Sequence, residues 1–170
     1  LYTYLVEAYR EAKMFDLDLS SFSGLVKEMA LRGEWETVFR FFARELERQS
    51  AIREFIDGEA HIKGFLLAYL RLTQGYILFP EHESSKGYAD FYMMPDLLHQ
   101  PEIAYSYIVE VKYAKRDASE VEIAALKKEA AEQLVRYAAD EKVLRTKGGT
   151  KLELITLVFK GWELVIAEKL

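Results

Sequence analysis

Residues Gly87–Lys112 read GYADFYMMPDLLHQPEIAYSYIVEVK, two apolar runs separated by a turn-rich segment holding Pro95, Asp96 and Pro101. Each run has the composition of a strand and carries charge where a buried strand should have none. Asp90 lies between Ala89 and Phe91, and Glu110 and Lys112 flank Val111. Such charges are costly unless they are paired or hold a metal ion. Side chains alternate along a strand, so Glu110 and Lys112 share a face with Ile108, and Asp90 shares one with Tyr88 and Tyr92. Paired with those faces together, the runs make Asp90 and Glu110 neighbouring carboxylates, with Lys112 one step further along. Two carboxylates and the intervening backbone carbonyl of Val111 form an all-oxygen set that suits a hard cation, Mg2+ or Mn2+. Such an ion lowers the pKa of water and offsets charge on a transferring phosphate. Lys112 would then orient or deprotonate water, or neutralise the developing charge. The plain alternative is a lysine that only neutralises Glu110 or Asp90.

Upstream of this stretch the chain reads as helices. Tyr2–Lys13 has Leu5, Ala8, Tyr9 and Ala12 on one face, Ser21–Leu31 ends at Gly33, and Glu34–Gln49 carries the stripe Trp35, Val38, Phe39, Phe42, Leu46. The spacing over Ala51–Thr73 predicts a further helix. At about 100° per residue, Ile52, Phe55, Ile56, Ile62, Leu66 and Leu70 fall within roughly 60° of Glu59, which sets this carboxylate at the centre of the apolar face. A core-facing glutamate needs a counter-charge, a proton or a metal. After Gly75 the period changes to two, giving strands at Tyr76–Phe79, Tyr88–Met94 and Tyr105–Tyr113 in an antiparallel meander, with Glu81–Gly87 as a polar turn. Asp117–Lys142 returns to helical spacing, with Asp117 and Glu120 as a capping box and Ile123, Leu126, Ala130, Leu134 and Tyr137 as the buried stripe. Gln133 lies at the edge of that stripe. Two last strands, Leu152–Phe159 and Trp162–Ala167, meet at a tight Lys160-Gly161 turn. The element order after the leading helices is α-β-β-β-α-β-β.

The 170 residues suffice for one domain with a small extra layer, and 51% of them are apolar. The absence of cysteine excludes disulfides, thiolate zinc sites and cysteine nucleophiles. No apolar run approaches about 18 residues and no signal-peptide pattern is present, so a cytoplasmic protein with no membrane attachment is expected. The chain begins at Leu1, which fits a piece of a longer protein. A formal charge of −5 argues mildly against plain electrostatic nucleic-acid binding. Inward carboxylates offset by a bound ion weaken that argument. The late basic group Lys142, Arg145, Lys147 and Lys151 reads as a solvated loop before it reads as a phosphate contact. His61, His82 and His99 have no ligand spacing, and no phosphate-cradling glycine loop is present.

Four stretches together carry a resemblance: GEAHIKGFLLAYL with Glu59, EHESSKGYADFYMMP with Asp90, YSYIVEVKYAK with Glu110 and Lys112, and AAEQLVRYA with Gln133 and Tyr137. Over Ile52 to about Ala167 the sequence resembles the PD-(D/E)XK nuclease superfamily. More closely, it resembles the version at the C-terminus of bacterial and archaeal proteins whose N-terminal part is an AAA-type ATPase-like domain. It departs from that family's Glu-x-x-Tyr/Phe-His helix motif, since Ile62 and Lys63 hold the last two positions. The resemblance implies a restriction-endonuclease-like α/β fold, a mixed sheet flanked by helices. Residues 1–50 would form a helical linker or subdomain and residues 51–170 the nuclease-like domain. It implies Asp90, Glu110, the Val111 carbonyl and, directly or through water, Glu59 as metal ligands. Lys112 would be the catalytic lysine, Gln133 an auxiliary water or substrate contact, and Tyr137, Lys115 and Arg136 the substrate contacts. The expected activity is Mg2+- or Mn2+-dependent phosphodiester hydrolysis, most often in DNA. The competing expectation is a non-catalytic module that binds nucleic acid or protein for an attached ATPase.

Overall fold

A computed structural model describes residues 19–48, 56–84 and 87–170; the helix expected at Tyr2–Lys13 lies outside them. Two helices, α1 (Leu19–Arg32) and α2 (Trp35–Arg48), lead into α3 (Glu59–Leu70). Strands β1 (Tyr76–Ser84), β2 (Gly87–Pro95) and β3 (Tyr105–Ala114) follow, then α4 (Glu120–Ala138), α5 (Glu141–Thr146), β4 (Lys151–Lys160) and β5 (Glu163–Lys169). The strands form one sheet in the order β1-β2-β3-β4-β5. Every neighbouring pair is antiparallel except β3 and β4, which run parallel because α4 and α5 carry the chain back between them.

Alternation along the strands divides the core in two. Phe91, Met93, Tyr107, Val109, Val111, Ile155, Leu157 and Phe159 face α1, α2 and α3. Tyr92 and Ile108, of the other parity, pack with Leu134, Tyr137 and Val143 of α4 and α5. The first face holds the larger core, and the rings of Phe42 on α2, Tyr69 on α3 and Phe159 on β4 meet edge-on there at 5.3 and 6.3 Å between centroids. The last carbonyls of α1 have no partner within their own helix. β3 and the residue before it supply partners: the Tyr107 hydroxyl donates to Met29 O at 2.7 Å and the Ala104 N–H to Ala30 O at 3.0 Å. Gly33 ends α1 at φ 78°, and a Cβ there would lie 2.9 Å from the Tyr105 ring, so only glycine lets helix and strand approach this closely. Gly161, at φ 61°, opens the two-residue turn joining β4 to β5.

Four expectations are corrected. The helix expected from Ala51 begins at Glu59, because Gly58 is extended (φ −175°, ψ 170°) and forms its N-cap; Ile56 is buried but lies outside the helix. Residues 51–55 lie outside those described. The polar segment taken as a turn is mostly strand. β1 continues through Pro80 to Ser84, which pairs with Gly87, since the ladder to β2 and not apolar content decides the conformation. The capping box is Ser119 with Glu122, not Asp117 with Glu120: the Ser119 hydroxyl accepts from the Glu122 N–H while the Glu122 carboxylate accepts from the Ser119 N–H. Finally, Asp117–Lys142 is not one helix. Asp140 accepts from the N–H groups of Lys142 and Val143 at 2.9 and 3.3 Å and starts α5 afresh.

Among the described residues no helix is long and apolar enough to cross a membrane.

Candidate active site

β2 and β3 pair over Phe91–Val109, Tyr92–Ile108 and Met93–Tyr107, and the same register carried one step further sets Asp90 opposite Glu110. Backbone pairing stops there and the strands fork. The carboxylates fill the fork: the Val111 N–H donates to Asp90 Oδ2 at 2.8 Å, and the Asp90 N–H points to Glu110 Oε2 at 3.4 Å. Both side chains are buried. Lys112, two residues on and therefore on the same face as Glu110, sets Nζ 3.2 Å from Glu110 Oε1 and 3.0 Å from Glu129 Oε1 on α4.

Glu59 reaches the fork from α3. As the first residue of its helix it is not at the centre of an apolar face, and its side chain remains 36% exposed. Its carboxylate pairs with Lys63, one turn further along α3, at 2.5 Å, and the same ammonium contacts Asp90 Oδ1. Tyr137 is buried with Leu134 against Tyr92 and Ile108. Burial first, and then the charge of Glu110, push its hydroxyl pKa up. Gln133 is half-buried, and its Oε1 is buried with no hydrogen-bond partner among the described residues. The Thr156 hydroxyl is in the same condition, and Thr156 pairs with Glu110 in the β3–β4 ladder. Unsatisfied buried acceptors of this kind mark room for water or an ion. Lys115 and Arg136 are exposed. Lys115 borders a cavity of about 680 Å³ with Tyr113, Asp117, Glu122 and Glu129, so the Lys112–Glu129 pair stands at its edge.

Two participants escaped the sequence reading. Lys63 enters the sequence analysis only as a departure from a helix motif, yet it touches both Glu59 and Asp90. Its four-residue offset from Glu59 was the available signal. Glu129 pairs with Lys112 and lies one turn before Gln133, which sets both on one side of α4. The histidines are peripheral where described: His61 pairs with Asp57 and His99 with Asp96, each at 2.8 Å and well exposed. Of the late basic group, Lys151 pairs with Glu153 at 2.6 Å and Lys147 donates to Thr150 O at 3.0 Å.

The electrostatics of the fork suit a divalent cation. Burial and then the adjacent Asp90 carboxylate push Glu110 up to about 7. Burial likewise pushes Asp90 up, against the pull of the Lys63 ammonium and the Val111 N–H. Burial works to lower the pKa of Lys63, but its hydrogen bonds to Asp90 and Glu59 outweigh that and raise it. Two carboxylates that resist joint ionisation are the donors a hard cation relieves, and an ion such as Mg2+ fills its remaining positions with water. Asp90 and Glu110 fit that role. Among the described residues no three His, Cys, Asp or Glu side chains converge into a complete metal cage.

A pH dependence follows from Glu110. An ordinary glutamate loses its proton near 4.5, and here the folded chain holds it to about 7, so over that interval the folded state binds more protons. Stability of the metal-free protein is therefore full below pH ~4.5 and falls as pH rises through ~7, by on the order of 3–4 kcal/mol at about 1.4 kcal/mol per pKa unit. Thermal melts in EDTA at pH 5 and pH 8 should show the drop, and Glu110→Gln should flatten it. An equal drop in the variant would mean that other groups carry it.

Residues 57–169 match the PD-(D/E)XK nuclease superfamily. With two thirds of its length matched over the α3-to-β5 fold just described, the chain belongs to that superfamily. A comparison with curated proteins returned no match.

Proposed function

We propose that this chain is a metal-dependent nuclease that hydrolyses phosphodiester bonds in DNA, acting as the C-terminal part of a larger protein with an ATPase-like region. The observation that carries this reading is the cross-strand pair Asp90 and Glu110, interlocked at the fork with Lys112 beside it, in a chain of the PD-(D/E)XK superfamily. Asp90, Glu110 and the Val111 carbonyl would hold Mg2+ or Mn2+, with Glu59 contributing from α3. The bound ion supplies positive charge against the phosphate and acidifies water. Lys112, anchored between Glu110 and Glu129, presents its ammonium to the attacking water or to the charge developing on phosphorus. Gln133, whose buried Oε1 has no partner among the described residues, orients that water. Tyr137, Lys115 and Arg136 contact the nucleic acid, Lys115 from the border of the cavity that reaches Glu129. Residues 1–50, which include α1 and α2, would join this unit to the ATPase-like region.

The Lys63 ammonium on Asp90, together with the net charge of −5, favours a second reading, a non-catalytic binding module of the same fold. Incubation with supercoiled, linear and single-stranded DNA in Mg2+, Mn2+ or EDTA separates the two. Metal-dependent cleavage that is lost in both Asp90→Asn and Lys112→Met supports the enzyme. Cleavage that survives both substitutions removes these residues from the chemistry. No cleavage under any condition, with no metal binding by calorimetry, removes the enzyme and leaves the module.

A further inference from the structure

Lys63 is a cation at the carboxylate fork to which the foregoing reading assigns no task. Both oxygens of Asp90 are committed: Oδ2 accepts from the Val111 N–H, and Oδ1 is held by Lys63 Nζ. A divalent ion on Asp90 either displaces or shares Oδ1 with the ammonium, or takes the second lone pair of Oδ2 and still lies within a carboxylate's width of that charge. Two cations in a partly buried pocket repel strongly, because little water lies between them to screen the charge. Lysine carries a compact charge on a flexible stem, and its side chain here is 24% exposed, so an outward path exists. The same ammonium already pairs with Glu59, which is more exposed than Asp90 and on the same helix, so Lys63 is held from the solvent side of the fork.

We propose that Lys63 is a built-in competitor for the divalent cation: its ammonium neutralises Asp90 while the ion is absent and swings outward into solvent, leaving the carboxylates to the ion, when the ion binds. This deepens the preceding reading and rests on Asp90 and Glu110 being the cation site. Its consequence is a site tuned to cation concentration. The fork stays neutral and folded without an ion, and affinity is held down by the work of moving Lys63.

Mn2+ binding, measured by calorimetry or by electron paramagnetic resonance of the free ion, tests the competition. Lys63→Met should bind Mn2+ at least tenfold more tightly than the wild type, Lys63→Arg within about threefold of it, and Asp90→Asn much more weakly than either. Unchanged or weaker binding by Lys63→Met, with Asp90→Asn still deficient, overturns the competition and leaves the cation site intact. No binding by wild type or variants overturns the cation site and the competition with it. A measurement on the unmodified protein avoids any folding defect: brief acetylation with acetic anhydride, read residue by residue by mass spectrometry. Lys63 should be acetylated several-fold faster in saturating Mn2+ than in EDTA. An equal or slower rate would mean that the ammonium does not leave Asp90, and the inference falls.

Discussion

Lys112→Met is expected to lower DNA cleavage about 100- to 1,000-fold in a single-turnover assay, the usual cost of removing one group that stabilises charge in the transition state. The substitution keeps the length of the side chain and removes the ammonium that stands 3.2 Å from Glu110 and 3.0 Å from Glu129. The fold should survive. Burial and Asp90 already push Glu110 up to about 7, and with the Lys112 charge gone it can hold its proton further up the pH scale. Glu129 is 57% exposed and can be solvated once its partner is lost. Mn2+ binding should persist, so the variant separates cation capture from chemistry. Lys112→Arg should not restore the rate, because a planar guanidinium fork cannot replace a point charge held between two carboxylates. A Lys112→Met protein cleaving within threefold of the wild type would remove this lysine from the reaction.

The second large effect concerns stability. Phe42→Ala should cost about 3–5 kcal/mol, the range for truncating a fully buried phenylalanine. Phe42 is 0% exposed, and its ring meets Tyr69 and Phe159, so the cavity opens where α2, α3 and β4 converge. Urea unfolding by circular dichroism measures it. The same contacts predict that a fragment beginning at Ala51 aggregates, because the sheet face that α1 and α2 cover would lie bare. A soluble, cooperatively folding 51–170 fragment would show instead that the first fifty residues are a separable unit.

The parts of this fold legible in the sequence are those fixed by local repetition. Period-two runs located β2 through β5 to within about two residues at each end, and parity put Glu110 and Lys112 on one face; that Asp90 joins them depended on the β2–β3 register, which parity does not give. The failures have physical causes. Ile52, Phe55 and Ile56 fall in phase with α3, but phase cannot reveal that Gly58 is extended and starts the helix. Asp117-Glu120 and Ser119-Glu122 are both well-formed cap signals two residues apart, and only the hydrogen bonds distinguish them. Polar residues such as Glu81 and Glu83 form strand because β2 lies beside them, which is a tertiary fact. Lys63 and Glu129 were missed for the same reason. The Lys63–Asp90 and Glu129–Lys112 contacts cross interfaces between elements that no spacing within one element encodes, and only the Lys63–Glu59 pair lies within a single helix.

The fork has one more consequence, for how variants at a single position will be read. The Asp90 carboxylate that would grip the ion is also the fastener between two strands, standing in for the ladder bond that the Val111 N–H lacks toward β2. Selection at codon 90 is therefore exerted twice. A saturation library sorted only for intracellular abundance, with no nuclease readout, should still reject Ala and Leu there, because the Val111 N–H is then buried without an acceptor. It should keep Asn, whose amide oxygen can take that bond. An activity-sorted library should keep Asp alone, and the distance between the two profiles measures how far chemistry and architecture share one side chain.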